Sequence, residues 1–236
     1  MQRVKFLDLG IIDYQLAWDR QESLLQQNVL LKSEARKANA NYQVNELPTQ
    51  HFLLFCEHPP VYTLGKSGSL NNLLIDEAEM QRRGIQFFKT NRGGDITFHG
   101  PQQIVGYPIL DLEKIYTDIG RYLRNLEEVV ILTLAEYGIT SGRSSGETGV
   151  WLDAGVKGKE RKICAIGVRC SRWVTMHGFA LNVNTNMDYF NHIIPCGIQN
   201  KMVTSLQQEL GYALEYEEVK DKLKKNFEQV FDAELT

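Results

Sequence analysis

The sequence predicts an α+β protein: a mixed, mainly antiparallel sheet with flanking helices. Three observations carry this. Strand-like runs come in clusters rather than alternating one for one with helices, which disfavours a doubly wound fold. Three stretches show the 3.6-residue apolar stripe of packed helices, and residues 150–184 are β-rich with hairpin-like breaks. A chain of 236 residues suffices for one well-cored domain, and no repeat or domain-grade linker interrupts it, so a single domain over 1–236 is expected.

The elements follow in order. Residues 4–9 read as an opening strand. From Tyr14 a long helix carries Tyr14, Ala17, Trp18, Leu24, Leu25 and Leu31 on one stripe, and polar residues 33–45 end it. The run 51–56 is a buried strand, Pro59 and Pro60 punctuate it, and 61–64 resumes extended structure before a turn at Gly65-Lys66-Ser67-Gly68. Asp76 caps a short helix that stops at Gly84. Strands are expected at 85–88, 96–99 and 104–110, separated by glycine-rich breaks. Residues 118–137 form the clearest helix, with Leu123, Leu126, Val130 and Leu134 facing the core and Gly138 as its stop. Strands at 150–153, 162–170 and 174–184 follow. A terminal helix spans 215–235, with Tyr216, Val219, Leu223, Phe227 and Val230 on its packed face.

Composition excludes several functions. Lys plus Arg (26) against Asp plus Glu (29) gives a net charge of −3, with no positive field to hold a nucleic acid. The longest apolar runs are far shorter than the ~18 residues of a membrane span, and Met1-Gln2-Arg3 opens no signal-peptide core, so a cytoplasmic protein with no membrane partner is expected. Four cysteines, at 56, 164, 170 and 196, form no CxxC pair and no sequon occurs, which fits a reducing compartment. Cys164, Cys170, His177 and Cys196 match no usual close-paired zinc spacing, so no metal is expected.

Gly65-Lys66-Ser67 ends like a phosphate-binding P-loop, but position 60 is Pro, which offers no amide hydrogen, so a surface turn is the better reading. Gly142, Gly146 and Gly149 miss the dinucleotide spacing. In 92–101, RGGDITFHGP, paired glycines allow close backbone approach to a ligand and His99 ends the following strand; alone, a plain turn with a satisfied histidine is the better reading. In 161–168, RKICAIGV, Lys162 is either the exposed end of a strand or a desolvated lysine with its pKa pulled down to make a base, and the small Ala165 and Gly167 leave room for a substrate chain. Cys164 and Cys170 read as core filler. Cys196 stands between Pro195 and Gly197 in a loop, where sulfur and backbone amides are exposed together as a nucleophile requires.

Taken together, RGGDITFHGP, KICAIG, MHGFALNVN and PCGI, with EHPPVYTLG at 57–65 and GVW at 149–151, resemble the octanoyltransferase family of lipoate biosynthesis over residues 50–200. The resemblance implies the fold of lipoate and biotin protein ligases. It also implies the reaction: an octanoyl group moves from octanoyl-acyl carrier protein to a lysine of lipoyl domains, those of the 2-oxo acid dehydrogenases and the glycine cleavage H protein, through a cysteine acyl-enzyme. Carried over by motif, the nucleophile falls on Cys196 and the activating lysine on Lys162. The acyl-substrate positions fall on Arg92, Gly93, Gly94, Asp95, Ile96, Thr97, Phe98 and His99, on Ala165, Ile166 and Gly167, and on Gly178, Phe179 and Ala180.

Phe98, Ile104, Ile166 and Phe179 are expected to receive the acyl chain. No metal or nucleotide cofactor is implied, and a monomer is expected. Two departures stand out: Gln102 replaces the glycine usual after HGP, and the 154–160 loop is longer than the family's short turn. Two alternatives remain: an ATP-dependent lipoate or biotin protein ligase on the same fold, which has no use for a thiol at 196, and a non-catalytic lipoyl-domain binder.

Overall fold

A computed structural model describes residues 1–38, 43–194 and 202–236, the side chain of Asn45 apart. Among these, eight strands form one sheet: β1 (Gln2–Ile11), β2 (His51–Glu57), β6 (Gln103–Ile109), β7 (Val150–Leu152), β8 (Arg161–Ser171), β9 (Val174–Asn182), β10 (Met202–Val203) and β11 (Ala233–Leu235). Their order is β10-β8-β9-β6-β2-β1-β11, with β7 also on β8. The β2/β6, β6/β9, β8/β9 and β7/β8 pairs are antiparallel, whereas β1 is parallel to both β2 and β11, and β10 to β8. A second sheet of β4 (Gln86–Lys89), β3 (Val61–Leu64) and β5 (Ile96–His99), in the order β4-β3-β5, stands apart from it.

Period-2 alternation divides the large sheet between two cores. One face buries Phe55, Ile104, Cys164, Ile166, Phe179 and Leu181 against α3 (Ile119–Ala135) and α5 (Tyr216–Phe231). The other buries Leu54, Val105, Tyr107, Met176 and Ala180 against α1 (Tyr14–Ala38). A third cluster fills the small sheet around Tyr62, Phe98 and Ile193, joined by α2 (Glu77–Arg82) through Met80. Asp76 caps α2 as read from sequence, accepting from the Glu79 N–H, and Asp118 caps α3, accepting from the Arg121 N–H. Gly84 and Gly138 follow α2 and α3 in the left-handed region.

The structure corrects several boundaries. α1 runs on to Ala38, past the expected stop at 33. Residues 215–235 are not one helix: α5 ends at Phe231, Asp232 takes a left-handed φ of 48°, and 233–235 pair with β1. β10 and the short α4 (Leu206–Leu210) had no periodic signal to announce them. No helix among the described residues is long and apolar enough to cross a membrane.

Candidate active site

A cavity of about 610 Å³ lies where the small sheet and its loops close over β8 and β9. Its floor follows from register. Ala165 pairs with Ala180 and Gly167 with Gly178, so two adjacent strands present almost no side chain on one face. A methyl group at Gly178 would lie 2.1 Å from the Gly106 carbonyl oxygen, and one at Gly167 would lie 2.8 Å from that of Gly93. These glycines are therefore required by close backbone approach rather than by φ.

The roof is the segment after β4. The Gly93 N–H donates to the Val168 carbonyl at 2.9 Å, docking the paired glycines onto β8. The Gly65–Gly68 turn supports this segment from outside: the Lys66 N–H donates to Arg92 O and the Ser67 N–H to Gly94 O. These amides are used within the protein, so the turn is no phosphate cradle.

The cavity brings together, from separate elements, Arg92, Gly93, Gly94, Asp95, Ile96, Thr97 and His99, the β8 residues Lys162, Ala165, Ile166 and Gly167, and Gly178, Phe179 and Ala180 of β9. Phe98 is absent from its lining. That side chain packs in the third core, stacking on Tyr189 at 4.5 Å, and Ile104 packs in the first core; neither borders the cavity, although Ile96, Ile166 and Phe179 of the same clusters do. Cys196 lies outside the described residues. The described chain before it ends at Ile194, whose N–H donates to Asn72 O, and after it resumes at Met202, bonded to Glu160 O; the Thr204 N–H donates to Lys162 O at 2.9 Å.

Lys162 is buried rather than a solvated strand end. Its Nζ lies 4.6 Å from the centroid of the Trp151 ring and 3.9 Å from Glu147 Oε2. Residues 143–149, which carry Glu147, are held by a buried carboxylate of α3. Glu127 accepts from the Gly149 N–H at 3.1 Å, from Arg143 Nε at 2.9 Å and from Arg124 Nη1 at 2.9 Å.

A directed hydrogen-bond chain ties roof to floor. Gln103 donates from Nε2 to Phe98 O (3.1 Å) and to Asn182 Oδ1 (2.8 Å), so its oxygen faces His99 Nδ1 at 2.9 Å and calls for a proton there. His99 Nε2 then accepts from Thr63 Oγ1 at 3.3 Å, while Arg92 Nη2 donates to both oxygens of Thr63. Asn182 Nδ2 continues to Thr204 O at 2.9 Å.

His99 is held neutral: burial, with the charges of His58 and Arg92, keeps its pKa well below the ordinary range. Burial and Arg92 likewise bring His177 down to about 3, and His177 Nε2 lies 2.6 Å from Asn91 Oδ1. Both rings thus act as fixed hydrogen-bonding pieces. The thiols of Cys56, Cys164 and Cys170 are all pushed up by burial and are poor nucleophiles. Among the described residues no His, Cys, Asp and Glu cluster fits a metal ion.

Gln102, in place of the usual glycine, adopts φ 61°. Its strained backbone is compensated by what the turn holds: its carbonyl accepts from the Val183 and Asn184 N–H groups and from Thr185 Oγ1. The longer 154–160 loop closes on itself, with Val156 N–H donating to Asp153 O, Lys159 N–H to Val156 O, and Gly155 N–H to Glu160 Oε1. Sequence reasoning missed Tyr14, Gln103, Tyr107, Glu147 and Asn182, all of which line the cavity. A signal existed for two of them: Gln103 and Asn182 are polar residues at the ends of mainly apolar strands.

Fold and cavity together define a lipoyl protein ligase A/B catalytic domain, the family that residues 13–228 match. Within it the chain belongs to the octanoyltransferases, a family of transferase enzymes. It is 58% identical to the octanoyltransferase of Christiangramia forsetii over 235 residues, covering 99% of this chain and 98% of that one. It is 57% identical to that of Flavobacterium johnsoniae, covering 99% of each. Among solved structures, the bipartite lipoate protein ligase of Thermoplasma acidophilum superposes with a TM-score of 0.70 at 16% identity, covering all of this chain and 86% of that one, which is agreement in fold.

Proposed function

We propose that the protein transfers an octanoyl group from the thioester of octanoyl-acyl carrier protein to a lysine of lipoyl domains, with Cys196 carrying the acyl group between them. The observation that supports this best is the cavity itself: one smooth glycine and alanine floor, wide enough for an alkyl chain, ending near a buried lysine. Each methylene buried there stabilises by ~0.8 kcal/mol. The octanoyltransferase name of the 57–58% identical relatives supports the acyl group.

In the first half-reaction the Cys196 thiolate attacks the thioester carbonyl, and the carrier thiol leaves with a proton from the Lys162 ammonium. An ammonium about 4 Å from a thiol is worth about 4 kcal/mol at an effective dielectric of ~20, before desolvation, whereas a two-unit shift in thiol pKa needs about 2.7 kcal/mol. One lysine therefore suffices. In the second half the acceptor amine loses a proton to neutral Lys162 and attacks the acyl-enzyme; the C–N bond forms as the C–S bond breaks. The acyl group arrives as a thioester and leaves as a more stable amide, so no nucleotide drives the step.

The test is intact-mass analysis after mixing with octanoyl-acyl carrier protein without ATP. An octanoyl adduct on the wild type that maps to Cys196, and is absent from Cys196→Ser, is expected. Lack of the adduct, or octanoylation of a lipoyl domain that requires ATP, overturns the proposal, the second outcome in favour of a ligase.

A further inference from the structure

We propose that Tyr14 is the stop at the blind end of the acyl slot and limits its length to that of an octanoyl chain; this deepens the octanoyl-transfer reading above and rests on it. The slot runs across the strands of the large sheet. Register places Ala165 of β8 beside Ala180 of β9, Ala180 beside Val105 of β6, and Val105 beside Cys56 of β2, so one row of small side chains crosses the sheet. Ala165, Ala180 and Val105 line the cavity. Exposure falls along that row: Ala165 is half-buried, Ala180 is 3% exposed and Val105 1%. The slot is therefore open at β8 and blind at β6.

The direction of the chain follows from the size of the partners. Both the donor and the acceptor of the acyl group are proteins, which cannot enter a cavity of about 610 Å³, so the reacting carbonyl stays at the open end and the terminal methyl group points toward β6. Two strand spacings separate Ala165 from Val105, roughly 9.6 Å at ~4.8 Å each. An extended octanoyl group spans roughly 9 Å, seven carbon–carbon bonds of ~1.5 Å in a zigzag. Depth and chain agree.

Two tyrosines line the blind end, and both meet His58. The His58 Nδ1–H donates to Ile12 O at 2.8 Å, which leaves Nε2 to accept from the Tyr107 hydroxyl at 2.8 Å. Tyr107 is thus fixed by its strand and by that bond. The Tyr14 ring lies 5.3 Å from the His58 ring and is stacked on His99 at 6.1 Å. It is the first residue of α1 and 2% exposed, and among the described residues its hydroxyl makes no hydrogen bond. What Tyr14 gives the slot is bulk. The rings of Phe88 and Trp18 stand 5.1 and 6.1 Å from it, so a shorter side chain at 14 opens an apolar recess that continues the slot.

The test measures kcat/KM for octanoyl and for decanoyl transfer, from one carrier protein to one lipoyl domain, and takes their ratio within each enzyme preparation. Tyr14→Leu is expected to raise the decanoyl-to-octanoyl ratio by about fifteenfold, because each of the two further methylenes taken out of water is worth about fourfold (~0.8 kcal/mol). Tyr14→Met, which keeps more of the bulk, is expected to raise it by about fourfold, and carries the test if the leucine variant does not fold. Tyr14→Phe keeps the ring and is expected to leave the ratio unchanged. The ratio does not depend on how much of the enzyme is folded. An unchanged ratio in Tyr14→Leu, or in Tyr14→Met where the leucine variant does not fold, overturns the proposal, as does a rise in Tyr14→Phe equal to theirs or a wild type that uses decanoyl as readily as octanoyl. A wild type that transfers neither chain overturns the octanoyl-transfer reading itself, and the length stop with it.

Discussion

Gly167→Ala isolates the contact between roof and floor of the cavity. The added methyl group would lie 2.8 Å from Gly93 O, 3.2 Å from Arg92 Cδ and 3.3 Å from Arg92 Nη1. An ordinary contact begins near 3.4 Å, so the Gly93 carbonyl must retreat by about 0.6 Å. Overpacking of this kind costs about 1–3 kcal/mol, and losing the 2.9 Å hydrogen bond from the Gly93 N–H to Val168 O adds about 0.5–1.5 kcal/mol. The loss of chain entropy in the unfolded state returns about 0.4–1 kcal/mol.

The net expectation is a loss of about 0.5–4 kcal/mol in urea unfolding at unchanged m-value, with a fall on the order of 10²-fold in octanoyl transfer, because the displaced segment carries the acyl-facing backbone. Gly142→Ala is the matched control: a methyl group there meets nothing within 4 Å, and stability should stay within about 0.5 kcal/mol. If Gly167→Ala matches Gly142→Ala in both stability and transfer rate, the close approach has been misjudged.

Two further predictions concern stability. Lys32 and Asp111 form a buried ion pair at 2.6 Å, with side chains 1% and 0% exposed; Lys32→Met should cost about 3–5 kcal/mol in urea titration because it strands the carboxylate, and Lys32→Met with Asp111→Asn should recover most of it. A single-variant loss under about 1 kcal/mol would contradict this. Acid should unfold the protein early. His51 and His58 are brought down by burial to about 4 and His177 to about 3, from an ordinary value of 6.5, with His99 also lowered. The unfolded chain therefore binds more protons between those values; stability is fully present above pH 6.5 and falls, by on the order of 1 kcal/mol per histidine per pH unit, as pH drops toward 4. A urea midpoint that stays flat from pH 7 to pH 5 would refute the buried neutral state of these rings.

Much of the architecture was legible because it rests on local signals. The helix cap at Asp76, the apolar stripe of α3 and the 96–99 strand follow from short-range chemistry that the sequence displays. The split into two sheets was not legible, since pairing of 61–64 with 86–89 and 96–99 is a long-range choice that no periodicity records. The same holds for the strand at 233–235: its Ala, Glu and Leu carry little β signal, and it exists because β1 offers an edge.

At the site, the positions on the RGG segment and on β8 and β9 are legible through the family motifs taken together, since the RGG segment alone reads as a plain turn. The motif and its apolar character both point Phe98 at the acyl pocket, whereas its ring packs in the third core against Tyr189. Glu147 sits in a polar loop, where sequence gives no reason to prefer one acidic residue over another; only the packing of that loop against Lys162 distinguishes it.

The far edge of the large sheet has a practical use. Gln2 and Ala233 are register partners, the Gln2 N–H donates to Asp232 O, and the Phe6 N–H to Thr236 O, so both extremities share one border. β1 and β11 lie four and five strand spacings from β8, roughly 19 and 24 Å at ~4.8 Å each. A purification handle or fluorophore attached at either extremity therefore stays remote from Lys162. A short peptide joining the two, with new openings cut elsewhere, would yield a circularly permuted enzyme whose acyl chamber keeps its walls.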